Sequence, residues 1–451
     1  MPAYSPRAFR HFFTFSVVVL LSASSSFGTE KPVILERQDL AQVWAGHPVG
    51  FAFITAGDIQ YAAYYDAERN MTVASRKLGE EKWKRIVLPS QVQWDSHNYI
   101  AMQVDSIGML HVSGNMHASP LIYFRTKAAG DINTLEPVKN MTGEREDHVT
   151  YPQFLKGNSG ELIFTYRDGG SGNGTTIYNR YDEKTGKWSR LTDEPLLDGL
   201  GDVNAYPVGP TKGPDGYWHL TWVWRDTPDA STNHDLSYAR SKDLAHWETI
   251  EGKALVLPIT PRSEGVVVDP VPANGGIING SGKIGFDDQK RVVIAYHKFD
   301  EAGATQLYLT RFEVGAWKPR VLTEWTYRWE PKGNGTISFD VYHSALEHDP
   351  EAGYYISYSN AKHGKGVWKV DPASLTQGEK LPDSAIPGTL PGEIYQPSAP
   401  GMKVSILRDG TKRPDGTEYV LRWETLPYNR DRPTDPAPAP STLEWIKVGQ
   451  K

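Results

Sequence analysis

The chain has 451 residues, among them 14 Trp, 42 Gly and 32 Pro, and no Cys. That length is far above what a small stapled module needs. The absence of Cys excludes disulfide scaffolds, Cys-ligated zinc, iron–sulfur clusters and thiolate nucleophiles, so any acid, base or nucleophile comes from oxygen or nitrogen side chains. The balance of 48 Lys and Arg against 54 Asp and Glu, a formal charge of −6, is too mild to point to a nucleic-acid partner.

In chain order, Arg7 and Arg10 precede an apolar stretch from Phe12 to Leu21 and then small residues up to Gly28. This is the pattern of a secretory signal over residues 1–28, leaving 29–451 as the exported, secreted or periplasmic chain. No later stretch is long and apolar enough to insert in a membrane as a helix. The segments FAFITAGDIQYAAYYDAERNMTVASRKL, GELIFTYRDGGSGNGTTIYNRYDEKTGKW and KRVVIAYHKFDEAGATQLYLTRF alternate apolar and polar residues, are rich in Tyr, Val and Ile, and turn at Gly, Asp and Asn. Those are hairpin signals rather than helical ones.

Such hairpins close on a recurring Trp in EEKWKRI, TGKWSRL, LAHWETI, VGAWKPR and GKGVWKV. Units of roughly 50 residues suit a four-stranded propeller blade. Starts at Val49, His97, Val149, Asn204, Gly275, Phe339 and Ile394 give an all-β, seven-bladed β-propeller, a single catalytic domain. PVILERQ near the start is expected to complete the sheet of the last strands. The Pro-rich run from Pro433 to Pro440 reads as a surface excursion, because Pro supplies no ladder donor. The Trp residues Trp83, Trp188, Trp247, Trp317 and Trp368 read as wedge packing between sheets rather than as a sugar platform.

Function in a propeller belongs where inner segments converge, so the polar blocks matter most. WDSHNYIAMQVDSIGMLHVSGNMH brings His97 and Asn98 towards Asn115 and His117 by a strand return, and His is a base suited to neutral pH. His111, alternating with Leu110 and Val112, reads as structural. VTYPQFLKGNSGELIFTYRDGGSGNGTTIYNRYD adds Tyr151, Tyr166, Arg167 and Arg180; its GSGNG is a tight turn and no phosphate loop. A third block supplies Arg225, Asn233, His234 and Tyr238 as polar contacts to substrate. His, Tyr and Arg together fit elimination from a uronate. A base takes the C5 proton, a cation holds the sugar carboxylate, and an acid protonates the departing oxygen. His97 or His117 serves as base, Tyr166 as proton donor and Arg180 as carboxylate clamp, with Arg167 or Arg225 extending a cationic groove.

The wording of YYDAERNMTVASRKLG, WDSHNYIAM, LHVSGNMHASPLIYFR, FTYRDGGSGNG, VWRDTPDASTNHDLSYARSKD and GTISFDVYHSALEHD resembles the BNR-repeat-containing ulvan lyases, over approximately Ala45 to Lys369. The resemblance implies a seven-bladed propeller that cleaves ulvan, a sulfated polymer of rhamnose-3-sulfate and uronic acid, leaving an unsaturated uronyl end. It matches His97 in WDSHN and His117 in GNMH to the active-site histidines. Tyr166 in TYRDG and Arg180 in YNRYD fall to the catalytic tyrosine and the uronate-neutralising arginine. It also implies a structural metal ion, zinc or calcium, whose Cys ligand this chain does not have; its ligands stay unassigned, and the elimination itself requires no cofactor. The expected partner is a sulfated, uronic-acid-containing polysaccharide, met by a monomer. Two other readings compete. A propeller glycoside hydrolase would use two carboxylates from Asp95, Asp235 and Glu264, and a carbohydrate-binding propeller would bind without turnover.

Overall fold

The computed structural model describes residues 31–382, 389–411 and 413–450. The expected signal over residues 1–28 lies outside them. Strands dominate, and they form seven antiparallel sheets among the described residues.

The first blade is Ala52–Ala56, Ile59–Tyr65, Asn70–Lys77 and Lys84–Gln91, and the second Ile100–Val104, Leu110–Gly114, Tyr123–Thr126 and Leu135–Pro137. The third is Val149–Lys156, Leu162–Gly170, Asn173–Asp182 and Lys187–Arg190; the fourth is Asn204–Lys212, Trp218–Arg225, Asn233–Ser241 and Trp247–Glu248. Lys283–Phe286, Val292–Phe299, Thr305–Glu313 and Ala316–Val321 form the fifth, and Val341–His343, Gly353–Asn360, Gly364–Val370 and Gln377–Leu381 the sixth. The seventh joins Lys403–Arg408, Glu418–Thr425 and Ser441–Gln450 to Pro32–Val43 as its outermost strand. Residues at the two ends of the chain thus share one sheet, with Val33 opposite Gly449 and Val43 opposite Ser441. This closes the ring as the sequence led one to expect.

Blades three and four begin at the expected Val149 and Asn204. Blades five and seven begin later than Gly275 and Ile394, because those stretches fold as turns. Asn274 to Ser281 is a Gly-rich connection, and Gly392–Tyr395 is a short 3-10 turn that buries Ile394.

Burial follows position in the blade. The second strand of the fourth blade, WHLTWVWR, is buried at every residue, whereas the outer strand of the first, Lys84–Gln91, buries only Leu88. Inner strands have neighbours on both faces, so both faces are apolar. The recurrent Trp residues lock blade to blade: Trp317 packs edge-on against Tyr238 of the preceding blade, and Trp188 against His111 and Tyr123. Stacked against Tyr358 at 3.7 Å between ring centroids, Trp368 holds its own blade's centre.

Candidate active site

The loop Trp94 to Tyr99 enters the inner strand of the second blade, and the loop after Leu110–Gly114 leaves the strand beside it. Antiparallel pairing sets Ile100 opposite Gly114, so both loops lie at one end of the blade. That register brings His97 and His117 together although 20 positions separate them in the chain. Their rings stack at 4.1 Å between centroids and 21° between planes. Asn115 and Ala118, both at positive φ, bracket His117 and turn it inward.

Asp95 unites the pair. Its Oδ1 lies 2.7 Å from His97 Nδ1 and its Oδ2 2.6 Å from His117 Nδ1. Burial opposes charge on this carboxylate, but the two imidazole N–H donors outweigh it and hold the acid well below its ordinary range. With each Nδ1 donating to Asp95, each Nε2 presents a lone pair, and the ring hydrogen bonds of both histidines among the described residues go to Asp95 alone. Behind this group Asp431 accepts hydrogen bonds from Ser96 N, Ser96 Oγ and Thr336 N, and lies 4.0 Å from His97 Nδ1.

The third blade contributes the other wall. The pairing of Val149–Lys156 with Leu162–Gly170 slips between Thr150 and Gln153, and Tyr151 sits in that bulge at φ 58°. A bulge re-aims one side chain out of the pleat. Here it turns Tyr151 to meet His97, with ring centroids 5.8 Å apart. Directly opposite Thr150 in register stands Arg167, buried, its Nη2 donating to Thr150 Oγ1 at 3.1 Å and its guanidinium 4.9 Å from the Tyr151 ring. Nε and Nη1 of Arg167 are buried without a partner. Tyr151, Tyr166, Arg167, Tyr206 and Asn279 line a cavity of about 260 Å³. Burial pushes the Tyr151 phenol up to about 12, with Arg167 pulling the other way, so it is a neutral proton donor at ordinary pH.

The other residues singled out in the sequence distribute as follows. Tyr166 lines the cavity, but its hydroxyl accepts from Arg190 Nη1 at 2.9 Å, and burial pushes it up to about 12. Arg180 does not join the site: it is exposed on Asn173–Asp182, between Ile163 and Ser189. Asn98 is buried behind His97, its carbonyl accepting from the Tyr65 hydroxyl. Asn115 Nδ2 donates to Ser90 Oγ and Gln91 O. Arg225 stacks over Tyr206 at 5.3 Å while its donors hold the loop carbonyls of Thr227, Pro228 and Asp229. Asn233 is buried and bonds Ala230 O; His234 sits between Asp226 and Asp235 at 3.0 and 2.9 Å. Tyr238 is buried against His219, away from the His pair.

Asp95, Tyr151 and Tyr206 carry more of this geometry than the sequence suggested. The Asp-x-His spacing of Asp95 and His97 was a signal for the first. Nothing in the sequence marks Asp431, whose partners lie 335 and 95 positions away.

Asp95, His97 and His117 each offer one ligand atom, all within 4.8 Å of one another, a set capable of holding a metal ion. Two imidazoles and one carboxylate suit zinc better than calcium, which takes oxygen ligands.

A seven-bladed propeller thus gathers a His pair, a Tyr and an Arg at one end of blades two and three. The family model described as "BNR repeat-containing family member" matches residues 59–325, more than half of the chain, and the protein belongs to that family. It is similar to the ulvan lyase short isoform of Alteromonas sp. (strain LOR), 29% identical over 149 residues, which are 29% of this chain and 27% of the relative. The long isoform from the same strain is 40% identical over 145 residues, 29% of this chain and 14% of the relative. The matched stretch thus spans about a quarter or less of these relatives. Among solved structures, polysaccharide lyase Uly1 superimposes with a TM-score of 0.60 at 14% identity, covering 94% of this chain and 99% of that one. A PL25 ulvan lyase bound to -[GlcA(1-4)Rha3S]- gives 0.58 at 15%, covering 92% and 96%. These two share the fold.

Proposed function

We propose that the protein is a polysaccharide lyase that cleaves ulvan at the linkage between rhamnose-3-sulfate and uronic acid by β-elimination. The observation that carries this reading is the buried Arg167 with two unpartnered donors, in the wall of a cavity that it shares with Tyr151, whose ring in turn meets His97. A buried cation with free donors is costly unless an anion completes it, and a uronate carboxylate is planar and matches its fork. The similarity to ulvan lyases supports the same substrate class.

In this reading Arg167 binds the uronate carboxylate and stabilises the charge that develops on it as C5 loses its proton. His97 Nε2 takes that proton, and Asp95 holds the ring's tautomer and offsets its new charge. The C5–H electron pair becomes the C4–C5 double bond and the C4–O bond breaks. Tyr151 gives its hydroxyl proton to the departing oxygen, leaving a free end on one fragment and an unsaturated uronate on the other. The role of proton donor moves from Tyr166 to Tyr151, because the Tyr166 hydroxyl is already engaged by Arg190. The clamp moves from Arg180 to Arg167 for the reason of exposure given above. A zinc ion held by Asp95, His97 and His117 would take up the carboxylate and ring nitrogens that this proton transfer uses, and so would compete with the base.

Incubation with ulvan and other uronate polymers, followed by ultraviolet absorbance of the conjugated double bond and by product mass, tests the proposal. Neither unsaturated product nor chain shortening on any uronate polymer would overturn it. Saturated products with new reducing ends would favour hydrolysis instead. Of the acids offered for hydrolysis, Glu264 is exposed and pairs with Lys253, Asp235 is engaged by His234, and Asp95 is held by both imidazoles of the pair.

A further inference from the structure

A second cavity, of about 500 Å³, is joined to the His pair through Asp431. It is walled by Trp329, Lys332 and Thr336 from the connection between the fifth and sixth blades, and by Tyr428, Asn429 and Arg430 from the excursion before the last strand. The volume falls within the range of ligand clefts, about 300–1,000 Å³. Continuity with the elimination site runs through Asp431: the next residue after Arg430, it ties Thr336 and Ser96 together beside His97.

The excursion is held in an unusual shape. Arg430 and Asp431 both have positive φ, at 64° and 60°. Consecutive residues in that region persist only where surrounding contacts impose it, and such places concentrate at ligand sites. Here the three hydrogen bonds accepted by Asp431 impose it, and Gly333, at φ +99°, leaves room for the Arg430 guanidinium, whose Nη1 would lie 2.9 Å from any Cβ there. The result is an exposed Arg430 with no carboxylate or hydrogen-bond partner for its side chain among the described residues, next to a Tyr428 that is 42% exposed. Lys332 is engaged by Glu330 at 2.9 Å, which leaves Arg430 as the unpaired cation of this groove among the described residues.

We infer that this groove is a sulfate-reading subsite for a sugar flanking the cleaved bond, with Arg430 bonding the sulfate ester and Tyr428 offering its face to the ring. The inference rests on the elimination reading of the His97 site and extends it. Arg donors form paired, charge-assisted bonds to tetrahedral oxyanions, and aromatic faces suit sugar C–H groups. The excursion is therefore a specificity element built on a Pro-rich connection.

The test compares wild type, Arg430→Gln and Tyr428→Ala on native ulvan and on the same polymer after chemical desulfation, measuring binding by affinity electrophoresis alongside release of unsaturated product. Arg430→Gln is expected to weaken binding and raise KM about tenfold on the sulfated polymer, the loss of one charge-assisted contact, with kcat within about twofold. On desulfated polymer it should match wild type. An equal loss on both polymers, or none on either, overturns the inference. If no protein yields unsaturated product, the elimination reading falls while the binding difference still decides the subsite. Binding of native ulvan by none of them overturns the subsite too. Because the Arg430 side chain is exposed, its variant should melt at the wild-type temperature, and Tyr428→Ala serves as a second variant should it not.

Discussion

Asp, His and Tyr come together around His111, around His219 and around Asp95, and the first two of these clusters are closed. In the second blade His111 shares one ring nitrogen with the Tyr123 hydroxyl at 2.7 Å and the other with Asp105 at 3.2 Å. The fourth blade repeats the arrangement with His219, Tyr238 at 2.6 Å and Asp215 at 3.0 Å. Burial lowers both imidazoles, and every nitrogen is spent. At Asp95 the same residue types are arranged differently: one carboxylate serves two imidazoles through Nδ1, and the Tyr151 hydroxyl bonds none of them. What marks a site is thus the leftover valence, free Nε2 atoms and a free phenol beside an unsatisfied Arg167, rather than the residue types.

Equivalent substitutions in the two kinds of cluster sharpen that contrast most strongly. Tyr151→Phe should lower kcat about 10²–10⁴-fold, the usual yield of a positioned proton donor, and leave the melting temperature near wild type. Arg167→Ala should cost about 10²–10³-fold, by loss of charge stabilisation. Tyr123→Phe, in the closed cluster, should leave kcat within about twofold and lower stability instead. Near-normal turnover in Tyr151→Phe would break the comparison at its centre.

Asp95→Asn tests how the open cluster is held. It keeps the shape but removes the charge that faces two imidazoles, so turnover should fall about 10–100-fold, as for other supporting hydrogen bonds. The melting temperature should fall far less than turnover, a separation that loss of packing alone would not produce. Metal exchange probes the same atoms. Protein stripped with EDTA should retain its turnover, and added zinc should raise its melting temperature while slowing turnover as it takes ring nitrogens of the pair. Zinc without effect on either would show that the cluster works only as a hydrogen-bonded unit.

Much of the architecture was legible because strands announce themselves by alternation and by turn residues at short range. His97 and His117 were legible too, since a single strand return joins them. The partners of Tyr151 were less so. Tyr151 and Tyr166 stand in the same block, and alternation alone favours the one in the well-formed strand; only a register slip between Thr150 and Gln153 turns Tyr151 inward, and a bulge has no strong sequence signature. Arg167 and Arg180 posed the same ambiguity. Register puts Arg167 against Thr150 at the site end of the sheet, and Arg180 against Ile163 towards the other end. Asp431 was illegible, since a contact across the ring closure leaves no local pattern.

The smallest expected effect on activity belongs to the closed cluster of the fourth blade, and there the reading is thermodynamic. Asp215→Ala leaves the buried His219 Nε2 without a partner, which should cost about 1–3 kcal/mol of stability and leave kcat unchanged. The pH dependence has a definite sign. Burial lowers His219 below its ordinary value of 6.5, so the unfolded chain takes up a proton that the folded one refuses, and stability falls as pH drops below about 6.5. Asp215, although burial opposes its charge, is held below 3.8 by His219 and the Tyr217 N–H, so its contribution is present above that value and lost as pH falls further. Asp215→Ala should therefore reduce stability at neutral pH and flatten the part of the acid limb below about 4. Melting curves of variant and wild type across pH 3 to 8 measure this. A constant gap down to the lowest pH would mean that Asp215 acts through packing and not through its charge, and would remove the ionic half of the closed cluster from the comparison.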